Sequence, residues 1–481
     1  MKTKILFILT ILLISFSGCD DFLEENPQDF LSPDNLPVTE ADCDLLLNGA
    51  ISYQRAQNLY ERSLVFLAGI SADDMDVRNS SGDRYEIDRY TYLTTNQHIE
   101  NVWSSAYALI NECNIMINKI PETDLSDSVK EQYVAGASFL RALWYFHLVR
   151  LFGDNLILLD QPVDDFTAAL ELETASIESV YELIKMDIDY AVGINSSGSS
   201  RLPVEDWTAA GRPTYGAAKT LQAKIYMTMA GYPLNRTEYW DTAREAALEV
   251  LNISRYEMAT DLDDMWLIEN ENSPEFIFSV QNHLPDYGSM LPVQTRPDGW
   301  SVYVGSEYYY LKYFEDGDLR KEAYHILEWN GKPYTSLSGK CPYVGKWVDI
   351  ARDNLSDYSK RTDSNFPVFR ISEVYLMFAE AELEVNGLTT EAYDALNATR
   401  LRAGLSQLSG LTSAEFKEEL IAERARELTF ECKRRFDLHR WGMLDQFMST
   451  DPHASTGWNM ETHEYYPAPE RDALLNSNLA D

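Results

Sequence analysis

The sequence predicts a mainly α-helical protein built from tetratricopeptide-like helix pairs, with one large irregular, loop-rich insertion and a few short strands. Three observations point there. Long stretches repeat apolar residues at steps of three and four, the period of an amphipathic helix. Neighbouring stretches come in pairs joined by short polar links, as in helical repeats, although no strict motif recurs at a fixed period. Between Met258 and Pro367 that periodicity lapses into turn residues and aromatic rings.

The chain has 481 residues, too many for one ordinary core, and 45% of them are hydrophobic, as in globular proteins. Its formal net charge of -37 repels polyanions and argues against nucleic acid as a partner. The cysteines, Cys19, Cys43, Cys113, Cys341 and Cys432, form no CxxC pair and no disulfide framework.

In chain order, Lys2 and Lys4 precede the apolar run Ile5 to Phe16, the layout of a signal peptide. Phe16-Ser17-Gly18-Cys19 resembles a bacterial lipoprotein box, with Phe16 larger than usual; residues 1–18 would be removed and Cys19 lipidated. Two or more acyl chains exceed what stable anchoring needs. Residues 19–38 are acidic and carry Pro27, Pro33 and Pro37, which predicts an extended tether.

Residues 39–481 read as a single domain. Helical pattern runs from Ala41 to about Ala68, with a Thr39–Asp42 start. Ser71 to Thr95 is polar and broken and reads as a long surface excursion. Val102, Ala106, Leu109, Cys113, Met116 and Ile120 then mark one helix face, closed by Pro121. The organising helix is Val129 to Phe152: amphipathic at first, then apolar all round, so other helices must wrap it. Ser128 with Glu131 suggests its capping box. Further helices follow around Ile177–Ala191, Ala218–Met229, Glu238–Leu251, Ile371–Val385 and Thr390–Arg402, and one after Thr412, where Glu415 completes a capping box. Glu275–Val280 and Val344–Val348 look strand-like, and the last forty or so residues look like coil. The helical scaffold is thus expected mainly at 39–257 and 368–445, and the variable region at about 258–367.

Six fragments carry a family resemblance: CDDFLEENPQ from Cys19, ASFLRALWYFHLVRLFGD from Ala137, GRPTYGAAKTLQAKIYM from Gly211, FPVFRISEVYLMFAEAELEVNG from Phe366, ERARELTFECKRRFDLHRWG from Glu423 and YYPAPERDALLNSN from Tyr465. In this order the chain resembles the SusD/RagB family of outer-membrane nutrient-binding lipoproteins. Cys432 stands where glycine is frequent. The resemblance implies a right-handed superhelical scaffold of helix pairs under a variable face. It also implies capture of an oligosaccharide or polysaccharide at the cell surface and delivery to a TonB-dependent outer-membrane transporter. Asp20, Asp21, Glu24 and Glu25 look like the signal that sends such lipoproteins to the outer leaflet. Some members of the family handle peptides, and peptide capture is the alternative reading; a surface glycoside hydrolase is a weaker one.

The segment Tyr287 to Trp347 holds 13 aromatic residues in 61 positions, about 21% against 12% for the chain, with seven acidic and seven basic side chains. Flat rings cover the apolar faces of sugars while polar side chains take the hydroxyls. Trp300, Tyr303, Trp329, Tyr334 and Trp347, each near Gly or Pro, are the candidate ring contacts. The run Tyr308–Tyr310 instead begins a helix toward Phe314. In the family an early loop joins the glycan site; here that falls on Asp76 to Arg84, with Arg78 and Asn79 as the hydrogen-bonding pair. Asp73, Asp74 and Asp76 could hold calcium, but they lack the EF-hand spacing. No cofactor is expected. No GxSxG, HExxH or phosphate-loop motif is present, and paired carboxylates mean little among 77 Asp and Glu residues. A non-catalytic binding protein is the expectation. His147 should be a hydrogen-bonded interior residue, and Arg141, Arg150, Arg370, Arg424 and Arg426 should pair with acids such as Glu373, Glu380 or Glu427.

Overall fold

The computed structural model describes residues 39–78, 81–163, 166–204, 210–349 and 361–479. The leader, Cys19 and Asn79 lie outside them. Among the described residues nine longer helices make the scaffold: α1 (Glu40–Tyr53), α2 (Gln97–Lys119), α3 (Asp127–Phe152), α4 (Ile177–Ala191), α5 (Tyr215–Ala230), α6 (Trp240–Leu251), α7 (Ile371–Asn386), α8 (Thr390–Arg402) and α9 (Ser413–Leu428). Each packs on its neighbour, α2 on α3, α3 on α4, α5 on α6 and α7 on α8, and α6 bridges the long insertion to meet α7.

Helix α3 is the hub, as its apolar second half requires: every residue from Tyr133 to Phe152 is buried. α1, α2, α4 and α5 all touch it. Arg141 sits at its centre and donates to Asp187 at 2.7 Å twice and to Asn114 at 2.7 Å, tying α4 and α2 to α3. His147 is interior, 2.7 Å from the Tyr60 hydroxyl. Burial, with Arg150 beside it, holds its imidazole well below the usual range, so it is neutral. Gly153 ends the helix at φ +61, where a Cβ would meet the Tyr465 ring at 2.8 Å.

The capping boxes at Thr39–Asp42 and Thr412–Glu415 both form. The one expected at Ser128–Glu131 does not. α3 begins two residues earlier with Ser126 at its cap, and Glu131 accepts the Ser196 N–H at 2.7 Å instead. The helix expected through Ala68 also breaks. After Tyr53 come turns, then Ser63–Val65 and the wider coil Phe66–Ile70, buried on every side and so part of the core rather than of α1's face.

The first part of the expected surface excursion, residues 71–77, is interior. Asp73 and Asp74 are each 1% exposed. Arg434 grips Asp73 with two bonds of 2.7 and 3.0 Å, and the Phe430 N–H donates to Asp74 at 2.9 Å. Both oxygens of Asp73 and one of Asp74 thus have internal partners. Met75–Val77 forms a strand, Asp83–Asp88 a short helix.

Strand Phe276–Val280 pairs antiparallel with Phe366–Arg370, closing the base of the irregular region. Glu275–Val280 looked strand-like in sequence; its partner did not, because FPVFR runs straight into α7 and shares its apolar content. A buried charge network fixes the region to the C-terminal helices. Arg370 reaches Glu275 (2.7 Å), Glu427 (3.1 Å) and Glu431 (2.6 Å). Arg320 reaches Asp318 (2.9 Å) and Glu423 (2.7 Å), and Lys346 reaches Glu431 (2.6 Å). Arg424 pairs with Asp437 at 2.8 Å and reaches the expected Glu373 at 3.8 Å, while Arg426 pairs with Glu423 at 3.0 Å; the arginines are structural, Arg370 and Arg424 with expected partners and Arg141 and Arg426 with others. The last forty residues carry short helices at Leu444–Met448, Met460–His463 and Glu470–Leu475 rather than coil alone.

Candidate functional site

Strand Met75–Val77 pairs antiparallel with Tyr303–Gly305, placing Val77 opposite Tyr303. The ladder brings the early loop against the aromatic region. Arg78 follows directly, its N–H donating to the Val302 carbonyl at 3.1 Å. Its guanidinium spans two loops, donating to the Ser301 carbonyl (3.3 Å) and the Ser338 hydroxyl (2.6 Å), 5.9 Å from the Tyr343 ring centre. Gly339 leaves space for it: a Cβ there would stand 3.3 Å from the Arg78 Nε.

Two tryptophans reach the surface beside it. Trp300 is 49% exposed, in a turn where its N–H donates to the Val293 carbonyl at 2.5 Å. Gly299 is required there, because a Cβ would meet that carbonyl at 2.2 Å. Trp329 lies in the hairpin Glu328–Trp329/Lys332–Pro333, turned by Asn330 (φ +50) and Gly331 (φ +73), the Asn-Gly pair such a two-residue turn demands. Half-buried, it packs on Val304, Ile326, Tyr343 and Val348. The Arg296 guanidinium lies 5.4 Å from its ring centre and is held by Asp298 at 2.9 Å, which links the Trp300 turn to the hairpin.

The other predicted rings go elsewhere. Tyr303 is 0% exposed and Trp347 2%. Tyr303 points inward from the strand, edge-on to Phe66 at 5.8 Å. Trp347 takes φ +63, which folds its ring beneath the strand onto Phe366 at 5.5 Å. Turn-like sequence marked both as surface residues, and a turn can equally swing a ring into the core. Tyr334 is half-buried and donates to Glu307 at 3.4 Å, edge-on to Tyr310. Sequence reasoning missed Arg296, Ser338 and Tyr343. Arg296 stands four residues before Trp300 in a proline- and glycine-bearing turn, the one signal that could have found it.

Glu328 and Trp329 are strand neighbours and face opposite ways. On the Glu328 side opens a hollow of about 490 Å³ lined by Asp263, Trp266, Glu322, His325 and Val348 among others. Burial holds the His325 imidazole down at about 3, so it adds no positive charge to these acids. The site therefore has two surfaces around one hairpin: a ring-and-arginine face and an acid-lined hollow. Among the described residues that line them, none is a nucleophile paired with a base.

The model of the SusD family matches residues 303–474, and the model described as "Starch-binding associating with outer membrane" matches residues 21–227. SusD-like protein P2 of Formosa agariphila is 26% identical, covering 99% of this chain and 98% of that protein. Starch-binding protein SusD of Bacteroides thetaiotaomicron is 23% identical, covering 77% of this chain and 76% of that protein. The crystal structure of a SusD superfamily protein from Parabacteroides distasonis superposes with a TM-score of 0.78 at 25% identity, covering 91% of this chain and 98% of that one.

Proposed function

Because this chain belongs to the SusD family, we propose that it is a cell-surface glycan-binding protein that captures an oligosaccharide or polysaccharide without cleaving it. What supports this reading is that the strand ladder, the Arg78–Ser338 bond and the Arg296–Trp329 contact bring the segments bearing Arg78, Trp300 and Trp329 next to one another, with Trp300 exposed. A sugar ring laid on an indole buries its C–H face, and the arginine N–H groups suit its hydroxyls and ring oxygen. The starch-binding name of the Bacteroides thetaiotaomicron relative and the outer-membrane description of the matching family model support the same reading. Several modest contacts give selective yet reversible binding, which a protein that hands its ligand on requires.

In this reading Cys19 carries the lipid that anchors the chain to the outer leaflet, and a TonB-dependent transporter receives the glycan. The scaffold at 39–257 and 368–445 holds the variable region at about 258–367. In the same reading Asn79, next to Arg78 in sequence, and Tyr334 are further ligand-binding residues.

The test is a binding screen of the purified chain against plant, host and microbial polysaccharides, with the bound glycan recovered and its length measured. The reading predicts binding of at least one polysaccharide, recovered intact. Shortened glycan would make the protein an enzyme, and binding of extended peptides alone would make it a peptide-capture protein.

A further inference from the structure

The strand and short helix of the early loop meet the distant C-terminal segment where Asp76, Asp88 and His453 come together. Asp76 lies on strand Met75–Val77, Asp88 ends the helix Asp83–Asp88, and His453 comes from the C-terminal segment. One donor atom from each lies within 4.8 Å of the others. His453 Nδ1 is 2.9 Å from Asp76 Oδ1 and 3.8 Å from Asp88 Oδ2. Four ligands placed tetrahedrally around a zinc-sized ion stand roughly 3.3 Å apart, given bonds of about 2.0 Å. The observed separations bracket that value.

The interior carries a second sign. The Asp88 side chain is 2% exposed, and its Oδ2, the atom turned toward His453, accepts no hydrogen bond. Its neighbour Arg89 brings Nε to 3.2 Å, but that N–H is not aligned to donate. His453 Nδ1 likewise makes no aligned hydrogen bond despite its short approach to Asp76. Two buried polar atoms converge on one point without bonding each other, an arrangement that costs free energy unless something lies between them. Asp451 fixes His453 there by accepting the N–H groups of His453 and Ala454 at 2.7 and 2.8 Å.

We propose that Asp76, Asp88 and His453 form a divalent-cation site of the zinc class. Two carboxylates and a neutral imidazole leave one position to solvent, on the His453 side, whose side chain is 33% exposed. An imidazole nitrogen and so few oxygens suit a late first-row ion better than calcium, which takes six to eight oxygens. The ion clamps the strand and helix of the early loop to the C-terminal segment, and its binding stabilises the folded chain.

The test uses the full purified chain, free of affinity tags, stripped with EDTA and titrated with Zn²⁺ by calorimetry, with the melting temperature followed in parallel. One ion should bind per chain and the melting temperature should rise, an effect EDTA reverses. Asp88→Asn and His453→Gln should each weaken binding at least about tenfold. Asp88→Asn keeps the side-chain shape, and burial already disfavours the Asp88 charge, so the apo variant should melt close to the apo wild type. Absence of Zn²⁺ binding to the wild type, or undiminished binding in both variants, overturns the proposal.

Discussion

Trp329 and Trp347 carry the same ring into opposite surroundings. Trp329 keeps one face on a small apolar cluster and the other toward Arg296 and solvent, while Trp347 is enclosed against Phe366. Substitution should therefore separate them. Trp347→Ala leaves a large cavity and should cost about 3–5 kcal/mol of stability, read by denaturant unfolding. Trp300→Ala removes a half-exposed ring and should change stability by about 0.5 kcal/mol or less. Arg78→Ala should weaken glycan binding while also loosening the contact between the Ser301 and Ser338 loops, seen as faster amide exchange there. Sequence alone could not sort the two tryptophans, since each has a glycine within two residues. What buries Trp347 is a strand some twenty residues further on, and what exposes Trp329 is the conformation of its own Asn-Gly turn.

At the scale of elements, the irregular region stands on buried charge. Glu427 accepts from Arg320 and Arg370 and pairs with Arg402, and all four side chains are at most 5% exposed. Removing one charge strands several others, so Glu427→Gln should destabilise the fold by about 3–5 kcal/mol, lowering the unfolding midpoint. The same logic sets a pH dependence. Burial alone would raise the Glu380 carboxyl, but the Arg440 guanidinium outweighs it and holds it at about 2. Burial would also raise Glu373, and Lys224, Lys433 and Arg424 hold it at about 2. A carboxylate depressed on folding contributes stability that is fully present above its ordinary value of 4.5 and is lost as pH falls toward 2. Unfolding free energy should decline over that window, and Glu380→Gln should flatten the decline.

The helices were legible because burial on one face imposes a period on the sequence: α2, α4 and α8 lie where their apolar spacing puts them. The early loop was not. Asp73 finds Arg434 361 positions away, and no local pattern announces a partner that distant. The short strands were legible only in part, because two or three residues carry too little alternation to read.

For the whole molecule, net charge and local charge play different parts. A formal charge of -37 keeps the chain soluble and away from polyanions, while the segment Tyr287 to Trp347 balances seven acids against seven bases. Among the described residues no helix is long and apolar enough to cross a membrane; the proposed arrangement puts attachment on the Cys19 lipid. The scaffold then acts as a rigid frame and the face around Trp300 and Trp329 as the variable part. The most direct measurement is the dissociation constant of the captured glycan for wild type and for the Trp300→Ala/Trp329→Ala double variant, in calorimetry under the same buffer. Loss of two stacking rings, at about 2 kcal/mol each, should weaken binding by several hundredfold or abolish it, with the melting temperature nearly unchanged. Unaltered affinity in a folded double variant would contradict the account, because the sugar would then be held somewhere other than on those rings.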